Sequence, residues 1–418
     1  RSVPNVKQAF LIGQYACDVA DGLEDFDPPP RVWGTYGAKR PEWSHGTPEY
    51  GLRYLDVFFP GVWLQSLIQS PERIRRWYSG TPYGEIEMLP IEAPEDVLKQ
   101  FSLLLLFGWN TMDERIYSRL KSYIAGGGKL FMAVPHLMTN ESRKFLIDME
   151  PLNLFREGDV RALFGVKIKG KGVRIDWIRT VDGAGMGLNH YYELNNAVQP
   201  LHPPVHIAEC EIKDAEVLVV DGATGSPVLV RRRMGDGEAY LLLTHEYPGN
   251  SRLSAFITSF VHALAKSVES LVSLDDPSGD IYYTVREESD AGLVRIHLLN
   301  TDWTEPGNKR DCILRLGNTE IPMVVREGRL IEVIWSGDLA ILAEDNRTYI
   351  ETVSRSEKCY SVKMHGCGSG EILICHLKEK SFNKLTFEGN PLKLEGYKGW
   401  SRVSFDFGYK SIGELLIR

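Results

Sequence analysis

Residues 101–137 read FSLLLLFGWNTMDERIYSRLKSYIAGGGKLFMAVPHL, and this stretch decides the fold of the first part of the chain. Its two apolar runs, Phe101–Leu106 and Leu130–Val134, do not alternate with polar residues, so both strands are expected to be covered on both faces, as in a parallel sheet. Between them, one apolar face at helical spacing is formed by Ile116, Leu120, Tyr123 and Ile124. Gly126–Gly128 can supply the positive φ that ends a helix. The stretch therefore predicts a βαβ unit.

The ends of these two strands are the first place to look for a site, because ligands on such sheets gather at the carboxyl ends of the strands. Trp109 and Asn110 follow the first strand, and His136 follows the second. We expect these three residues to contact a substrate. A capping role within the fold is the alternative for His136, and the same two alternatives apply to His245 with Glu246 after a later strand.

Composition excludes some classes of partner. The chain has 418 residues, 43% of them hydrophobic, with a net charge of −8 and a pI of about 5.8. This length predicts two or three domains at about 100–200 residues each. The acidic balance argues against nucleic acid and against an anionic membrane surface as partners.

The cysteines do not indicate a metal site. Six are scattered, and Cys359, Cys367 and Cys375 are spaced by eights rather than as the close pairs that zinc requires. Buried strand cysteines are the favoured interpretation. Neither a dinucleotide-binding nor a phosphate-binding glycine motif occurs, so we expect no metal and no cofactor.

The sequence gives little information about location. No segment approaches the roughly 18–20 apolar residues of a membrane span, so we expect a soluble protein, with the cytoplasm slightly favoured. The chain starts at Arg1 without Met and without the pattern of a signal sequence. Both a processed product and a piece of a longer polypeptide fit this start.

The fold class predicted for the whole chain is α/β followed by all-β. Residues 1–268 alternate apolar strands with helical stretches, which predicts a parallel sheet with right-handed crossovers. Within them, GSPVLVRRRMGDGEAYLLLT predicts a hairpin, and a helix over Asn250–Lys266 follows. Short strands between glycine, asparagine and aspartate turns then predict one or two small β-sandwich domains, over residues 269–348 and 349–418.

Residues 14–50 form an unusually long segment without a clear helical or strand pattern. Loops of more than about 12–15 residues in a compact domain are usually functional or disordered, and the aromatic content argues against disorder. Sugars offer apolar faces for stacking and hydroxyls for hydrogen bonding, so aromatic rings beside carboxylates suit a sugar site. A structural loop packed on a neighbouring domain or subunit is the alternative. The candidate sugar-contacting residues of the segment are Trp33, Tyr36, Trp43 and His45.

Carboxylates in the same segment are candidates for catalysis. Glycoside hydrolysis requires two carboxyl groups, one acting as acid and the other as base or nucleophile. The candidates are Asp18, Asp21, Glu42 and Glu49. Nucleophilic catalysis has little support, because neither a cysteine elbow nor a serine elbow follows the predicted strands.

The stretch from about Arg76 to Leu137 resembles the middle domain of glycoside hydrolase family 42 β-galactosidases, often called the trimerisation domain. The shared order is a helix, a strand reading EIEMLP, a strand ending in Gly108-Trp109-Asn110, and a helix closed by Ala125–Gly128 before another strand. The hairpin and helix after Gly225 are similar to the tail of that module. The resemblance implies a flavodoxin-like or class I amidotransferase-like sheet without its nucleophile, followed by small β domains.

The resemblance implies the non-barrel portion of a carbohydrate-active enzyme, similar to β-galactosidases, that helps to complete a sugar site. The family's catalytic barrel has no counterpart in these residues, so none of its catalytic glutamates can be assigned here. The partners implied are carbohydrate and either further copies of the chain or a catalytic barrel domain. A non-catalytic module for glycan binding or subunit assembly is the alternative. An independent enzyme with an unrecognised nucleophile is the weakest hypothesis.

Overall fold

The fold is that of a computed structural model. It describes residues 2–4, 6–12, 49–58, 83, 86–108, 111–139, 153–194, 204–268, 271–278, 280–288, 292–302, 307–343, 348–356, 359–377, 384–397, 400–408 and 412–417. Below, strands and helices are numbered in chain order.

One mixed sheet of nine described strands dominates the first part of the chain. Five neighbouring strands are parallel, and four more extend the sheet in antiparallel pairs. In spatial order, the strands are β3 Ile86–Pro90, β2 Gln8–Ile12, β4 Leu103–Leu106, β5 Lys129–Ala133, β12 Gly237–Leu242, β11 Pro227–Met234, β10 Glu216–Asp221, β7 Trp177–Thr180 and β8 Tyr191–Glu193. A separate pair is formed by β6 Val166–Arg174 and β9 His206–Ile212. The predicted parallel sheet is therefore present, with an antiparallel extension.

The helices cover this sheet on both faces. They are α1 Glu95–Leu98, α2 Glu114–Ala125, α3 Arg161–Phe164 and α4 Ser254–Lys266, with 3-10 helices at Glu49–Val57, Val134–Leu137, Phe155–Gly158 and Ser251–Leu253. Alternate residues of β4 point to opposite cores: Leu104 and Leu106 pack with α2, whereas Leu103 and Leu105 pack with α4. All four are fully buried. This burial on both faces is what the non-alternating run predicted.

The predicted βαβ unit is confirmed in detail. The Asp113 side chain accepts a hydrogen bond from the backbone N–H of Ile116 at 2.7 Å, which caps the start of α2. The helix ends at glycines, and Gly127 has a φ of 99°, a conformation that few other residues adopt. A Cβ at Gly128 would come within 2.2 Å of the Tyr123 ring. Glycine is therefore required for the chain to pass under that ring into β5.

The second part of the chain is built from antiparallel sheets. An eight-stranded sheet contains, in spatial order, β1 Ser2–Pro4, β14 Ile281–Glu288, β15 Leu293–Asn300, β18 Leu330–Ser336, β19 Leu339–Ala343, β22 Ser369–His376, β26 Trp400–Asp406 and β25 Glu395–Tyr397. A three-stranded sheet contains β13 Val272–Asp275, β16 Lys309–Leu316 and β17 Thr319–Arg326. A five-stranded sheet contains β20 Tyr349–Ser356, β21 Cys359–His365, β27 Ile412–Ile417, β23 Leu385–Phe387 and β24 Asn390–Pro391.

These three sheets form three layers, with the eight-stranded sheet in the middle. Strand β19 shows the reason, because all five of its residues are buried. Ala340 and Leu342 pack into the core shared with the three-stranded sheet, and Ile341 packs into the core shared with the five-stranded sheet. The predicted division at residues 348 and 349 thus separates two segments that share the central sheet. Residues 2–4, predicted in the α/β domain, also pair with this sheet.

A buried ion-pair network joins two of the layers. The Arg295 guanidinium, on β15, donates to the Glu332 carboxylate at 2.8 Å and also bonds the Glu288 carboxylate. It also donates to the backbone oxygens of Ile350 at 3.1 Å and Glu351 at 2.7 Å, both on β20. Because its side chain is only 9% exposed, this arginine ties the five-stranded sheet to the central one through desolvated contacts.

Candidate functional site at the carboxyl edge of the parallel sheet

The strand order marks one edge of the parallel sheet as a candidate site. Numbered along the chain, the five parallel strands lie in the order second, first, third, fourth and fifth, so the order reverses between β2 and β4. In open α/β sheets, ligands bind beyond the carboxyl ends of the strands at such a reversal. Strand β2 ends here at Ile12, and the segment of residues 14–50 follows it along the chain. The long aromatic segment is therefore attached at the reversal point.

In the part of this edge that the structure describes, buried aromatic side chains pack at the end of β4. Tyr54 and Phe107 are each 1% exposed, and their ring centroids lie 4.9 Å apart. The Tyr54 hydroxyl donates to the backbone oxygen of Pro248 at 2.6 Å, and burial raises its pKa well above the usual value. A Cβ at Gly51 would come within 2.6 Å of the Phe107 Cβ. The end of β4 is therefore tightly packed.

His136 lies at the end of the neighbouring strand β5 and is fully buried. Its Nδ1 accepts a hydrogen bond from the backbone N–H of Ala133 at 2.8 Å, and its ring meets the Tyr247 ring edge-on at 5.1 Å. Burial lowers the pKa of His136 to about 3, so the ring is neutral at physiological pH. Of the two roles that the sequence left open, this geometry favours capping. Substrate binding by His136 stays a prediction.

Partly exposed polar groups occur at the next strand end, beyond β12. Glu246 accepts a hydrogen bond from the His206 backbone N–H at 2.8 Å with one carboxylate oxygen, and its other oxygen lies 3.1 Å from the His206 Nδ1. The side chain of His206 is 25% exposed and that of Glu246 is 11% exposed. His245 precedes Glu246 in the chain, and its backbone N–H donates to the His206 carbonyl at 2.9 Å. We call these three residues the His206 cluster.

The electrostatics of the His206 cluster keep His245 neutral. Burial lowers the pKa of His245 to about 4, and the positive charge of Lys171 adds to the lowering. Its Nε2 is buried and has no hydrogen-bond partner among the described residues. The cluster therefore combines a histidine–carboxylate pair that reaches solvent with a buried, neutral histidine.

Most of the residues predicted from the sequence to act in a site lie outside the described residues. These are Asp18, Asp21, Trp33, Tyr36, Glu42, Trp43, His45, Trp109 and Asn110. Glu49 is the first residue of the 3-10 helix Glu49–Val57. Their catalytic and sugar-binding roles stay predictions.

Sequence reasoning did not find His206. Its partner Glu246 is 40 positions away, and the two meet because β9 runs beside the chain that leaves β12, with Ile207 bridging Thr244. The only local signal was the placement of His245 and Glu246 directly after an apolar strand, which the sequence did indicate as a possible strand-end pair.

Within the ranges that the structure describes, no group of three or more His, Cys, Asp or Glu side chains could hold a metal ion. Over those same ranges, no helix is long and apolar enough to cross a bilayer.

Comparison with known proteins gave matches among solved structures only. No family model and no curated protein matches the chain. It is similar to a β-galactosidase from Bacillus circulans sp. alkalophilus, with 14% identity and a TM-score of 0.46 over 79% of this chain and 41% of that one. A β-galactosidase from Rahnella sp. R3 gives 13% identity and a TM-score of 0.43 over 80% and 41%.

A third similar structure is α-L-fucosidase isoenzyme 2 from Paenibacillus thiaminolyticus, with 11% identity and a TM-score of 0.36 over 100% of this chain and 49% of that one. The chain thus spans about two fifths of the length of the two β-galactosidases and about half of the fucosidase. At these identities and TM-scores, the substrates in the names of those enzymes are not assigned to this chain.

Proposed function

We propose that this chain is the non-barrel portion of a carbohydrate-active enzyme, similar to β-galactosidases, whose α/β domain helps to complete a sugar site and mediates contacts between subunits. One observation carries the proposal. The segment of residues 14–50, rich in aromatic and acidic residues, follows strand β2 in the sequence, and β2 lies at the point where the strand order reverses. That is where open α/β sheets bind their ligands.

Two further features support a scaffold rather than an independent enzyme. The order of the parallel strands is that of flavodoxin-type sheets. An enzyme of amidotransferase type would carry a nucleophile on an elbow after a strand. Here β5 leads into the 3-10 helix Val134–Leu137, and the histidine in that helix is buried and hydrogen-bonded to the backbone.

The proposal assigns roles within the segment by chemistry. Trp33 and Trp43 would stack on the apolar faces of a sugar, and His45 would bond its hydroxyls. If the chain contributes a catalytic carboxylate, Asp18 and Glu42 are among the candidates, since glycoside hydrolysis requires a pair of carboxyl groups.

The alternative is a non-catalytic module that binds glycans or another subunit. The reading frame upstream of Arg1 distinguishes the two proposals. A coding region for a barrel of about 250 residues would support the enzyme portion. A start codon just before Arg1 would contradict it and favour the module.

Glycan binding by the chain tests the sugar site itself. Trp33→Ala and Trp43→Ala are each expected to weaken binding of galactosides at least about tenfold, measured by titration calorimetry, because each removes a stacking surface. Trp335→Ala is the matched control, since Trp335 lies on β18 and its indole N–H donates to the Gly337 carbonyl at 3.1 Å. Unchanged affinity in both test variants would mean that the aromatic segment is structural.

A further inference from the structure

We propose that the His206 cluster is a carbohydrate-binding subsite in which Glu246 orients His206 to accept a hydrogen bond from a sugar hydroxyl. The choice of a sugar rests on the function proposed above. The site itself rests on the geometry at the end of β12, which is a carboxyl end of the parallel sheet.

Glu246 sets the orientation of the His206 ring. A carboxylate can only accept hydrogen bonds, so the contact of 3.1 Å between the Glu246 carboxylate and Nδ1 places the proton on Nδ1. In the neutral imidazole, Nε2 then carries the lone pair. The second carboxylate oxygen is held by the His206 backbone N–H at 2.8 Å, so Glu246 fixes both the ring and the chain that carries it.

His245, beside His206, has a buried ring nitrogen that could bind a ligand. Its Nε2 has no hydrogen-bond partner among the described residues. A buried polar atom without a partner is unfavourable, so the position suits an ordered water or a hydroxyl group of a ligand. Only 7% of His245 is exposed, so this nitrogen lies beneath the surface.

The charges around the His206 cluster indicate which ligands suit it. Glu246 is engaged by His206, so its charge is not available to a cation. Arg174, opposite His206 on β6, is paired with Asp176 at 3.1 Å. Lys171 is exposed and acts on His245 only through its charge. The groups nearest the site are therefore two imidazole rings, and the hydroxyl groups of a sugar match them better than an anion does.

The variant Glu246→Gln tests this orientation. Glutamine has one acceptor oxygen where the carboxylate supplies two, so either the backbone N–H or the ring N–H of His206 loses its acceptor. We expect binding of free galactose at pH 8, measured by titration calorimetry, to weaken at least about tenfold. Glu209→Gln, at an exposed position on the same strand β9, is the matched control and is expected to bind like the native chain.

The ring nitrogens of His206 give a second readout that loss of stability alone would not change. In the native chain, ¹⁵N spectra are expected to show a protonated Nδ1 and an unprotonated Nε2, with the Nε2 signal shifting when galactose is added. Native-like affinity of Glu246→Gln, or a Nε2 signal that galactose does not shift, would overturn the subsite. Inorganic phosphate or Zn²⁺ shifting that signal where galactose does not would overturn the assignment to sugar.

The outcomes separate this inference from the proposed function. If Trp33→Ala weakens galactose binding and Glu246→Gln does not, the sugar site stands and the His206 subsite fails. If the native chain binds none of the galactosides, both fail.

Discussion

The buried histidine at the end of β5 gives a stability prediction whose magnitude follows from the structure. In His136→Leu, the backbone N–H of Ala133 loses its acceptor at a site closed to water. A buried donor left without a partner destabilises a protein by about 1–3 kcal/mol. We expect that loss in the free energy of unfolding at pH 7, measured by urea titration.

The pH dependence of the same substitution provides a sharper test. Burial lowers the pKa of His136 to about 3 in the native state, against an ordinary value of about 6.5 in the unfolded chain. Between these values the unfolded state binds a proton that the native state does not, so stability falls as the pH falls below about 6.5. At pH 5 this histidine lowers the free energy of unfolding of the native protein by about 2 kcal/mol relative to pH 7. The leucine variant does not show this decrease, because it has no group that titrates at this position. The difference in stability between the two proteins should therefore nearly vanish at pH 5.

The variant His136→Gln separates the effect of the hydrogen bond from the effect of the titration. His136→Gln keeps a side-chain acceptor for the Ala133 N–H but does not titrate, so it should recover stability at pH 7 without restoring the slope. His245, whose pKa is lowered to about 4, adds the same acid loss to all three proteins and cancels in the comparison. Parallel stability curves for the native protein and His136→Leu from pH 7 to 5 would refute the account of a neutral capping histidine.

Substitutions of one arginine and two glycines test the packing. Arg295→Met should destabilise the protein by about 2–4 kcal/mol in thermal unfolding, because it removes a buried partner from two partly buried carboxylates. Adding Glu288→Gln with Glu332→Gln should recover part of the loss, and equal stability of Arg295→Met and the native protein would contradict the link between the layers. Gly237→Ala should lower the free energy of unfolding by more than about 2 kcal/mol, because its Cβ would lie 1.9 Å from a backbone oxygen of α2. Gly225→Ala should lower it by only about 1 kcal/mol, because Gly225 has a φ of 74° but open space around it. Equal losses of stability in the two glycine variants would show that α2 can move away from the new Cβ at little energetic expense.

The sequence predicted the elements whose causes are local. Non-alternating apolar runs, the helical spacing of α2 and the glycines after it all act within about 35 residues, and the structure confirms each of them. The hairpin from Pro227–Met234 to Gly237–Leu242 is of the same kind.

The parts that the sequence did not predict depend on distant pairings. Ser2 pairs with Glu288, and β19 joins β22 across the predicted division of the β domains. Strand patterns indicate that a residue is buried, but they do not say which distant strand covers it. The His206–Glu246 pair has the same origin, since β9 lies beside the chain that leaves β12 and so brings the two residues together from separate stretches.

The central claim is that sugar binds at the carboxyl edge of the parallel sheet, and photo-crosslinking with a galactoside probe tests it most directly. The label should map by peptide mass spectrometry to residues 13–58 or 204–250, and an excess of free galactose should suppress it. Labelling that maps instead to the β layers at residues 281–417, or that galactose does not suppress, would contradict the account.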